Sequence, residues 1–454
     1  MIHFQYSILY IYWFDIQLLD ILSNVIFMDR KIALAIIAVA VVVIAAAAVL
    51  LAGNSDEKDG IESSDIPSGK DTRLTILGNA DLDDDLDDHD VRMIEAVIEN
   101  EGTVGQYPYA DANNDGVIDA QDVEFVKKLV SKDKMVIYYY NVDGEIASVH
   151  YPLTGSIIAT YNKTLEASRT LGLSDQVVGT DDMTYDWPTY FPEFQSLPSI
   201  GNRMSPSVEK ILDIDPDAYL CGTKKWFGAT LESDLAGTGI DVVRLPTWEE
   251  GQVLSGMLTL GFITQHESQA QKYLDWAEGI LEKVDKVVDK IAEKDRPTVL
   301  VLDANNYLST KKAGSGQYEN SIAAGGYNIV KDIGSTEEYY TKLSMEWILK
   351  KDPQYIVFSQ GSTAYQWSDA ELKAKYDALA EEFKLSSAYV DGNMHIINLE
   401  VFIGPSYPIS VMYMAKWFYP EEFKDVDVSS LLQEYIDTFC HIDMDVAQHG
   451  GFSI

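Results

Sequence analysis

Short apolar runs alternate with amphipathic stretches from residue 135 to the end of the chain. The runs are three to six residues long and rich in β-branched and aromatic side chains, which is typical of buried strands. They are Met135–Tyr140, Val177–Gly179, Ala218–Cys221, Val242–Arg244, Thr298–Leu302, Tyr355–Phe358 and His395–Asn398. Strands separated by helical stretches predict parallel α/β layers.

One short sequence occurs twice within this pattern. Residues 207–216 read SVEKILDIDP and residues 344–353 read SMEWILKKDP, with six identities in ten positions. In each copy a Ser precedes a Glu-bearing helical turn, and Asp-Pro ends the helix before an apolar strand. Two such units a domain-length apart predict two similar α/β lobes with a ligand cleft between them. The alternative is ordinary helix-end chemistry that arose twice.

A long helical stretch separates the two repeats. From Ile263 to Lys294 the chain is dense in Glu and Lys and contains no proline and one glycine, Gly279. We expect a single helix of about 45 Å at 1.5 Å per residue, joining the lobes and limiting their motion to a small hinge. The predicted bounds are 133–262 for the first lobe, 263–296 for the interlobe helix and 297–454 for the second lobe.

An uninterrupted apolar run lies near the amino terminus. Ile32–Ala52 contains 21 apolar residues, enough to span a bilayer, and the basic sequence RK precedes it at 30–31. The positive-inside rule then places everything after residue 53 outside the cell. The run is long for a signal peptide and has a weak cleavage site, so we favour a retained transmembrane anchor at 28–53 over a cleaved signal.

The segments on either side of the anchor differ from it in character. Residues 1–27 read as a leader upstream of a natural start at Met28. Residues 54–73 are acidic and polar, and they read as a flexible linker because they cannot bury enough apolar area to fold. The expected location is therefore the extracellular face of the cell membrane.

Two acidic twelve-residue loops follow the linker, and each precedes an amphipathic helix. Their side-chain oxygens have the spacing with which a loop wraps around Ca²⁺. The second loop offers Asp111, Asn113, Asp115, the Val117 carbonyl, Asp119 and Asp122, with Gly116 at the tight turn of position 6. The first loop offers Asn79, Asp81, Asp83, Asp85, Asp87 and Asp90, with Asp84 at position 6. We predict one tightly bound Ca²⁺ in the second loop and a weaker one in the first.

This duplicated loop-and-helix unit, at 74–132, resembles a dockerin module. The resemblance implies a small all-α pair of EF-hand type, structural Ca²⁺ and a cohesin-like protein partner at the cell surface. Cellulosomal dockerins present a Ser/Thr pair to cohesin after each loop. Asp88-His89 and Ala120-Gln121 stand at those positions here, so the usual cohesin contact is missing from both copies.

Composition excludes some classes of function. The net charge is −38, with 72 acidic residues, so nucleic acid phosphates would be repelled. Cys221 and Cys440 lack metal-ligand spacing. They are either a disulfide pair in an oxidising compartment or two buried free thiols. The chain has no G-x-S-x-G, H-E-x-x-H or phosphate-loop motif, and we expect no enzymatic activity.

Residues 135–454 together resemble one family, the ABC-transporter substrate-binding proteins for iron chelates, haem and cobalamin, in the form common in archaea. The matching features are VVGTD at 177–181, PSIG at 198–201, the repeated helix units, the interlobe helix, AAGGYN at 323–328 and AKWFYP at 415–420. The resemblance implies ligand capture between the lobes and delivery to a membrane permease and its ATPase. It also implies that Glu209 and Glu346 form salt bridges to permease arginines. The alternative for these two residues is a pair of solvated helix carboxylates.

The loops expected to face the cleft are rich in aromatic residues, which suit a corrin, a porphyrin or a catecholate chelate. Candidate ligand contacts are Tyr185, Trp187, Tyr190, Trp226, Trp248, Tyr307, Tyr365, Trp367, Phe402 and Tyr407, with Lys224 and Lys225 for anionic groups. Free Fe(III) is a weaker candidate, because no Tyr/His pair stands at fixed spacing. Two other functions stay open, a dockerin-bearing surface scaffold or adhesion protein and a dockerin-linked glycoside hydrolase, although no carboxylate pair sits in a recognisable hydrolase motif.

Overall fold

The computed structural model describes residues 61, 66–249, 251–333, 340–361, 363 and 365–449. The chain divides into two units, Met1–Gly60 and Ile61–Ile454, and all described residues belong to the second. The leader, the anchor and most of the linker predicted from the sequence therefore lie outside the described residues. Within the described part, no helix has the length and apolarity needed to cross a bilayer.

Each acidic loop is followed by a helix, as the sequence pattern predicts. Helix α1 spans Asp88–Glu99 and helix α2 spans Ala120–Val130. Both begin with a capping box, in which two Asp side chains accept hydrogen bonds from backbone N–H groups at the helix start. Ile94 and Val126 are fully buried between the helices. Ile66 is buried in the same cluster, so the packed chain begins earlier than the predicted bound at residue 74.

The first lobe contains a parallel sheet and a separate hairpin. Its strands are β1 (Met135–Tyr140), β2 (Ile146–Tyr151), β3 (Ile157–Ala159), β4 (Val177–Gly179), β5 (Ala218–Cys221) and β6 (Asp241–Arg244), and its helices are α3 (Asn162–Thr170), α4 (Val208–Ile214) and α5 (Leu231–Asp234). The parallel sheet has the order β4-β3-β5-β6. Strand β1 does not join it, contrary to the expectation, because a turn with Gly144 at φ +75° folds β2 back antiparallel to β1.

The predicted interlobe helix is present with narrower bounds, and a separate helix of the first lobe precedes it. Helix α6 spans Val253–Ile263 and helix α7 spans Glu267–Val288. Gln265 between them adopts a left-handed conformation with φ +58°, which ends the first helix although neither proline nor glycine stands there. The 22 residues of α7 extend about 33 Å, shorter than the predicted 45 Å.

The second lobe repeats the parallel architecture. Its strands are β7 (Thr298–Asp303), β8 (Ser309–Lys311), β9 (Tyr327–Asn328), β10 (Tyr340–Lys342), β11 (Tyr355–Gln360) and β12 (Met394–Asn398). Its helices are α8 (Gly316–Ala323), α9 (Met345–Lys351), α10 (Asp369–Glu382), α11 (Ser387–Val390), α12 (Leu399–Phe402), α13 (Tyr407–Phe418) and α14 (Val428–Tyr435). The parallel sheet has the order β12-β11-β7-β9. All seven strands predicted from the apolar runs are present. Cys221 and Cys440 are both buried free thiols.

The repeated sequence folds twice into the same unit, which confirms the prediction of two similar lobes. Ser207 Oγ and Ser344 Oγ each accept a hydrogen bond from a backbone N–H three residues on, at the starts of α4 and α9. The Asp before each Pro, Asp215 and Asp352, ends its helix in a left-handed conformation. A parallel strand then enters each sheet.

Candidate ligand-binding cleft

The largest cavity between the lobes has a volume of about 740 Å³. The first lobe lines it with the end of β3 and the start of α3, and with the loops after β4. The second lobe contributes the segments after β11 and β12. Its lining includes Tyr161, Trp187, Arg203, Trp367, Leu399 and Ile403. The Nε2 of Gln366 donates a hydrogen bond to the carbonyl of Asp186 at 2.5 Å, so the two lobes also touch directly beside the cavity.

A smaller cavity of about 230 Å³ is also lined by both lobes, and a cavity of about 210 Å³ is lined by second-lobe residues. Tyr161 and Arg203 border both the largest cavity and the 230 Å³ cavity. Lys311 and Tyr340 border both small cavities. These three adjoining spaces are together called the cleft. Its residues come from the carboxyl ends of parallel strands, where ligands bind in open α/β sheets.

Tyr161 stands at the centre of the cleft in an unusual backbone conformation. Its φ of +77° is sparsely populated by residues other than glycine. The buried carboxylate of Asp181 accepts the Tyr161 N–H and, at 2.8 Å, the Met183 N–H. Two loops of the first lobe are therefore held together by one side chain, and the strained residue lies at the candidate site.

Arg203 places a cation on the aromatic wall of the cleft. Its guanidinium lies 4.9 Å from the ring centroid of Tyr161 and 5.8 Å from that of Phe227. It also contacts the Met183 sulfur. The Nε of Arg203 is buried without a hydrogen-bond partner among the described residues. The sequence reasoning missed this residue, although it follows the PSIG sequence at 198–201 by two positions.

Tyr161, Phe227 and Trp248 form an aromatic corner, with ring centroids 5.6 Å apart for Tyr161–Phe227 and 5.7 Å apart for Tyr161–Trp248. Trp226 lines the same 230 Å³ cavity. Buried Arg244 fixes the loop that carries Trp226 and Phe227. Its guanidinium donates to the carbonyls of residues 222, 227 and 228 at 2.7–2.9 Å and pairs with a carboxylate of α5. Arg244 therefore holds in place the loop that carries Trp226 and Phe227.

A buried charged network forms the floor of the cleft. Lys163 Nζ lies 2.6 Å from Glu166 Oε2 and donates to the Glu400 carbonyl at 2.6 Å. The Tyr435 hydroxyl donates to the other oxygen of Glu166 at 3.0 Å. Since Lys163 and Glu166 belong to α3, and Glu400 and Tyr435 to the second lobe, the network joins the two lobes. Burial raises the pKa of the Tyr435 hydroxyl, so the tyrosine stays a proton donor.

The structure brings only part of the predicted contact set to the cleft. Trp187 and Trp367 line the largest cavity, and Trp226 and Trp248 line the 230 Å³ cavity. Three other predicted contacts, Tyr190, Tyr365 and Phe402, are completely buried beneath it. The rings of Tyr190 and Tyr365 are 4.6 Å apart, so they close the lobe interface, and ligand contact is not open to them in this structure.

The remaining predicted contacts are engaged elsewhere. Tyr185 donates its hydroxyl hydrogen to the carbonyl of residue 197 at 2.6 Å. Lys224 pairs with a carboxylate of the β1–β2 turn, and Lys225 lies over the ring of Trp226. Tyr307 packs against Phe383, with ring centroids 5.9 Å apart. Tyr407, at the start of α13, packs against the main core, the hydrophobic cluster that includes strands of both lobes and helix α7. Local aromatic richness did not distinguish these packing roles from ligand contact.

The two acidic loops have matching backbone scaffolds. Asp122 accepts the N–H groups of Asn113 and Asp119 at 3.1 and 2.8 Å. Asp90 likewise accepts the N–H groups of Asp81 and Asp87 at 3.3 and 2.8 Å. Gly116 adopts φ +90° at position 6 of the second loop, as a tight turn requires. In the part of the chain that the structure describes, no three His, Cys, Asp or Glu side chains already converge on one metal position.

The carboxylates of these loops carry a desolvation penalty. Burial raises the pKa of the Asp111 and Asp122 carboxyls, and it raises the pKa of Asp90 to about 8. In the first loop, Asn79 donates its amide N–H groups to carbonyls, while its buried Oδ1 has no hydrogen-bond partner among the described residues. The buried Asn79 Oδ1, which has no donor among the described residues, fits a ligand for a hard cation.

Glu209 and Glu346 occupy equivalent positions on the repeated helices. Each lies in the first turn of its helix, two residues after the capping Ser. Both side chains are exposed, and neither lines the cavities of the cleft. They therefore lie outside the cleft.

Comparison with known proteins decides the family. Residues 157–389 match the family model described as periplasmic binding protein. The chain belongs to this family. Its members form a solute-binding class rather than an enzymatic one.

Curated relatives include the iron-uptake system-binding protein of Bacillus subtilis, 25% identical over 234 residues, and a cobalamin-binding protein of Halobacterium salinarum, 26% identical over 234 residues. Each alignment covers 50% of this chain, but only 66% and 59% of those relatives, which is less than two thirds of their lengths.

Among solved structures, FepB of Veillonella parvula, a TroA-like periplasmic binding protein, aligns with a TM-score of 0.58 and 19% identity, covering 68% of this chain and 97% of that one. Molybdate-bound MolA of Haemophilus influenzae aligns with a TM-score of 0.55 and 15% identity, covering 68% and 99%. At such identities the likeness establishes the two-lobe fold alone.

Proposed function

We propose that this periplasmic binding protein captures a metal chelate in its interlobe cleft and delivers it to the permease and ATPase of an ABC importer. The observation that carries the proposal is Arg203, a cation held on an aromatic wall inside the cleft of this fold. The ligand classes proposed are iron–siderophore, haem and cobalamin-type complexes. The names of the curated relatives, which refer to iron uptake and cobalamin, support this range.

The cleft chemistry favours a ligand with a flat face and an anionic edge. The rings of Tyr161, Trp226 and Trp248 offer apolar faces for stacking. The guanidinium of Arg203 can hold a carboxylate, phosphate or catecholate oxygen with directional hydrogen bonds. The main cavity of about 740 Å³ lies within the usual range for small-molecule sites.

A calorimetric binding screen tests this proposal. The probes are cyanocobalamin, haemin, a ferric catecholate and a ferric hydroxamate siderophore. We expect one class to bind, and Trp226→Ala to weaken its binding at least about tenfold because a large stacking face is lost. Tyr389→Ala, at an exposed tyrosine of α11, is the matched control and should bind as the wild type does. Failure of every probe, or equal affinity in both variants, would contradict the proposal.

Permease docking through Glu209 and Glu346 is part of the same proposal. Equivalent exposed carboxylates, one on each lobe, offer two points of attachment that leave the cleft accessible. A carboxylate paired with arginine provides a directional contact.

We also propose that the two acidic loops bind structural Ca²⁺. The second loop would hold the tighter ion through Asp111, Asn113, Asp115, Asp119, Asp122 and the Val117 carbonyl. The first loop would hold a weaker ion through Asn79, Asp81, Asp83, Asp85, Asp87 and Asp90. Bound Ca²⁺ would supply the positive charge that the buried carboxylates of the loops require. Calorimetric titration of the full chain should report two ions in the wild type and loss of the tighter one in Asp111→Ala. An unchanged profile in that variant would refute the assignment.

The expected setting is the extracellular face of the membrane, with residues 28–53 as the anchor and a cohesin-like protein as a further partner of the calcium module. Only the sequence supports these two points. Membrane fractions should retain the protein after a high-salt wash and release it in detergent. A secreted form that begins near Gly53 would indicate a cleaved signal instead.

A further inference from the structure

The first acidic loop departs from the calcium-loop pattern at position 6, and the structure gives that residue another partner. Asp84 occupies the glycine position, and its backbone does not adopt the left-handed conformation of Gly116. Its carboxylate points away from the loop and pairs with Arg73. The same guanidinium pairs with Glu278 in the middle of α7. One arginine therefore connects the first loop with the interlobe helix.

The chain around Arg73 is fixed to the interlobe region by further contacts. Thr75 donates its backbone N–H to Thr259 Oγ1 of α6 at 3.2 Å. Ser255 Oγ of α6 donates to the Arg73 carbonyl at 2.6 Å. Residues 75–77 also pair with β1 of the first lobe through the Leu77 N–H and the Thr75 carbonyl. Arg73 is thus held in place between the acidic-loop module, residues 74–132, and helices α6 and α7.

The second helix of the module makes an independent contact with the same region. Phe125 of α2 stacks on Tyr138 with ring centroids 6.3 Å apart. Leu129 is buried in the main core, and Lys132 pairs with Glu267 at the start of α7 at 2.9 Å. The module is therefore seated on the interlobe helix at two places, rather than tethered beside the lobes.

The bridge also approaches the wall of the cleft. Helix α7 packs against α13. Burial raises the pKa of the Tyr407 hydroxyl at the start of α13, and the negative charge of Glu278 raises it further. Tyr407 follows the cleft-lining residue Ile403 by four positions.

A cation in the first loop would act directly on this bridge. Asp83 and Asp85 flank Asp84 in sequence, and with Asp81 and Asp87 they repel one another across the loop. An ion bound to them neutralises that repulsion and fixes the backbone from which Asp84 reaches Arg73. Because both ion pairs are about one third exposed, with side-chain exposures of 32–39%, each pair contributes modestly.

We propose that the first calcium loop is a docking surface for the interlobe helix of its own chain, and that calcium in this loop orders α7 through the Asp84–Arg73–Glu278 bridge. The inference rests on the proposed calcium binding. It assigns Asp84 as a positioning residue that links the ion to the helix. By thermodynamic linkage, the free energy by which bound calcium stabilises the ordered α7 equals the free energy by which the ordered α7 strengthens calcium binding.

Hydrogen exchange of the full chain, with Ca²⁺ or with a chelator, tests this inference. In the wild type, Ca²⁺ should slow amide exchange in peptides covering Glu267–Val288 roughly two- to fivefold, as expected for one partly exposed ion pair. The Glu278→Gln variant should lose the calcium-dependent slowing of exchange. It should still bind two ions, and its affinity for the weaker ion should fall by the same factor by which calcium slows exchange in the wild type. Glu282→Gln, one turn further along α7 and paired only within the helix, is the matched control and should behave as the wild type does.

Each other outcome overturns the inference in a distinct way. If Glu278→Gln keeps the calcium-dependent slowing, the bridge does not carry the coupling. If calorimetry detects one ion, lost in Asp111→Ala, the first loop holds no calcium, while the calcium assignment of the second loop stands. If it detects no ion at all, the proposed calcium binding fails together with the inference. Arg73→Gln provides a second variant, which should lose the slowing as Glu278→Gln does.

Discussion

Arg203 illustrates how one side chain can set the chemistry of a cleft. It lies among aromatic rings, close to Met183, with its Nε unpaired among the described residues. A guanidinium in such surroundings is less hydrated than one in water. It therefore gains more from an anionic ligand than an exposed lysine would.

Arg203→Gln should weaken binding of an anionic chelate by roughly 10- to 100-fold, because charge-assisted hydrogen bonds contribute about 1.5–3 kcal/mol. Titration calorimetry with the probe that binds the wild type measures this loss. Arg92→Gln, on the exposed face of α1, is the control and should bind normally. Equal affinity in both variants would remove Arg203 from the ligand site.

Lys163 makes the second prediction at this scale. Lys163→Met leaves Glu166 buried with only a tyrosine as partner, so the free energy of unfolding should fall by about 3–5 kcal/mol. The double variant Lys163→Met/Glu166→Gln should recover part of that loss, since no charge is left unpaired. Urea denaturation of the three proteins measures it. A double variant less stable than the single one would mean that Glu166 has another compensating partner.

At the scale of elements, different residues of the repeated helices α4 and α9 serve the fold and the proposed interaction. Their capping Ser residues, left-handed Asp residues and buried Ile211 and Ile348 build each unit. The side chains of Glu209 and Glu346 are exposed and lie outside that packing. A carboxylate at the same place on both lobes is therefore open to a role outside the fold.

Glu209→Lys and Glu346→Lys should each leave ligand affinity unchanged and sharply reduce uptake, and the double reversal should abolish uptake by opposing like charges at the permease. Uptake of the labelled ligand by cells that carry the permease measures this effect. Asp213→Lys, an exposed residue of α4, is the matched control and should transport normally. Weaker ligand binding in either reversal would place that glutamate in the cleft or the core.

At the scale of the whole molecule, the module with the two acidic loops and the lobes share a core. Leu74, Ile76 and Leu129 belong to the hydrophobic cluster that also contains the first-lobe strands and α7. A module with its own core alone would unfold separately. The shared residues predict instead that the module and the lobes unfold in one cooperative transition.

Leu129→Ala should therefore lower the free energy of unfolding by about 2–5 kcal/mol and keep one calorimetric transition for module and lobes. Val117→Ala, at a residue of the same module that is 57% exposed, should change stability by less than about 0.5 kcal/mol. Scanning calorimetry distinguishes the cases. Two transitions, with only the module's shifted by Leu129→Ala, would show an independent domain.

The sequence by itself determined what depends on neighbours within one or two turns. Apolar runs placed the strands, Ser and Asp placed the ends of α4 and α9, and Gly116 marked the turn of the second acidic loop. These features follow from backbone hydrogen bonding and side-chain periodicity, which act over a few residues. The repeat made the two-lobe architecture predictable for the same reason, since each copy carries its own local signals.

Only the tertiary structure decided which side chains meet. Arg73 and Glu278 are 205 positions apart, and the ring contact of Tyr190 with Tyr365 joins different lobes. The packing of the lobes decided which aromatic residues of the predicted site line the cleft and which lie in the core. Arg203 lies in the cleft because of the course of its loop. Such contacts depend on the closure of long stretches of chain, and no local pattern encodes which distant residue will be the partner.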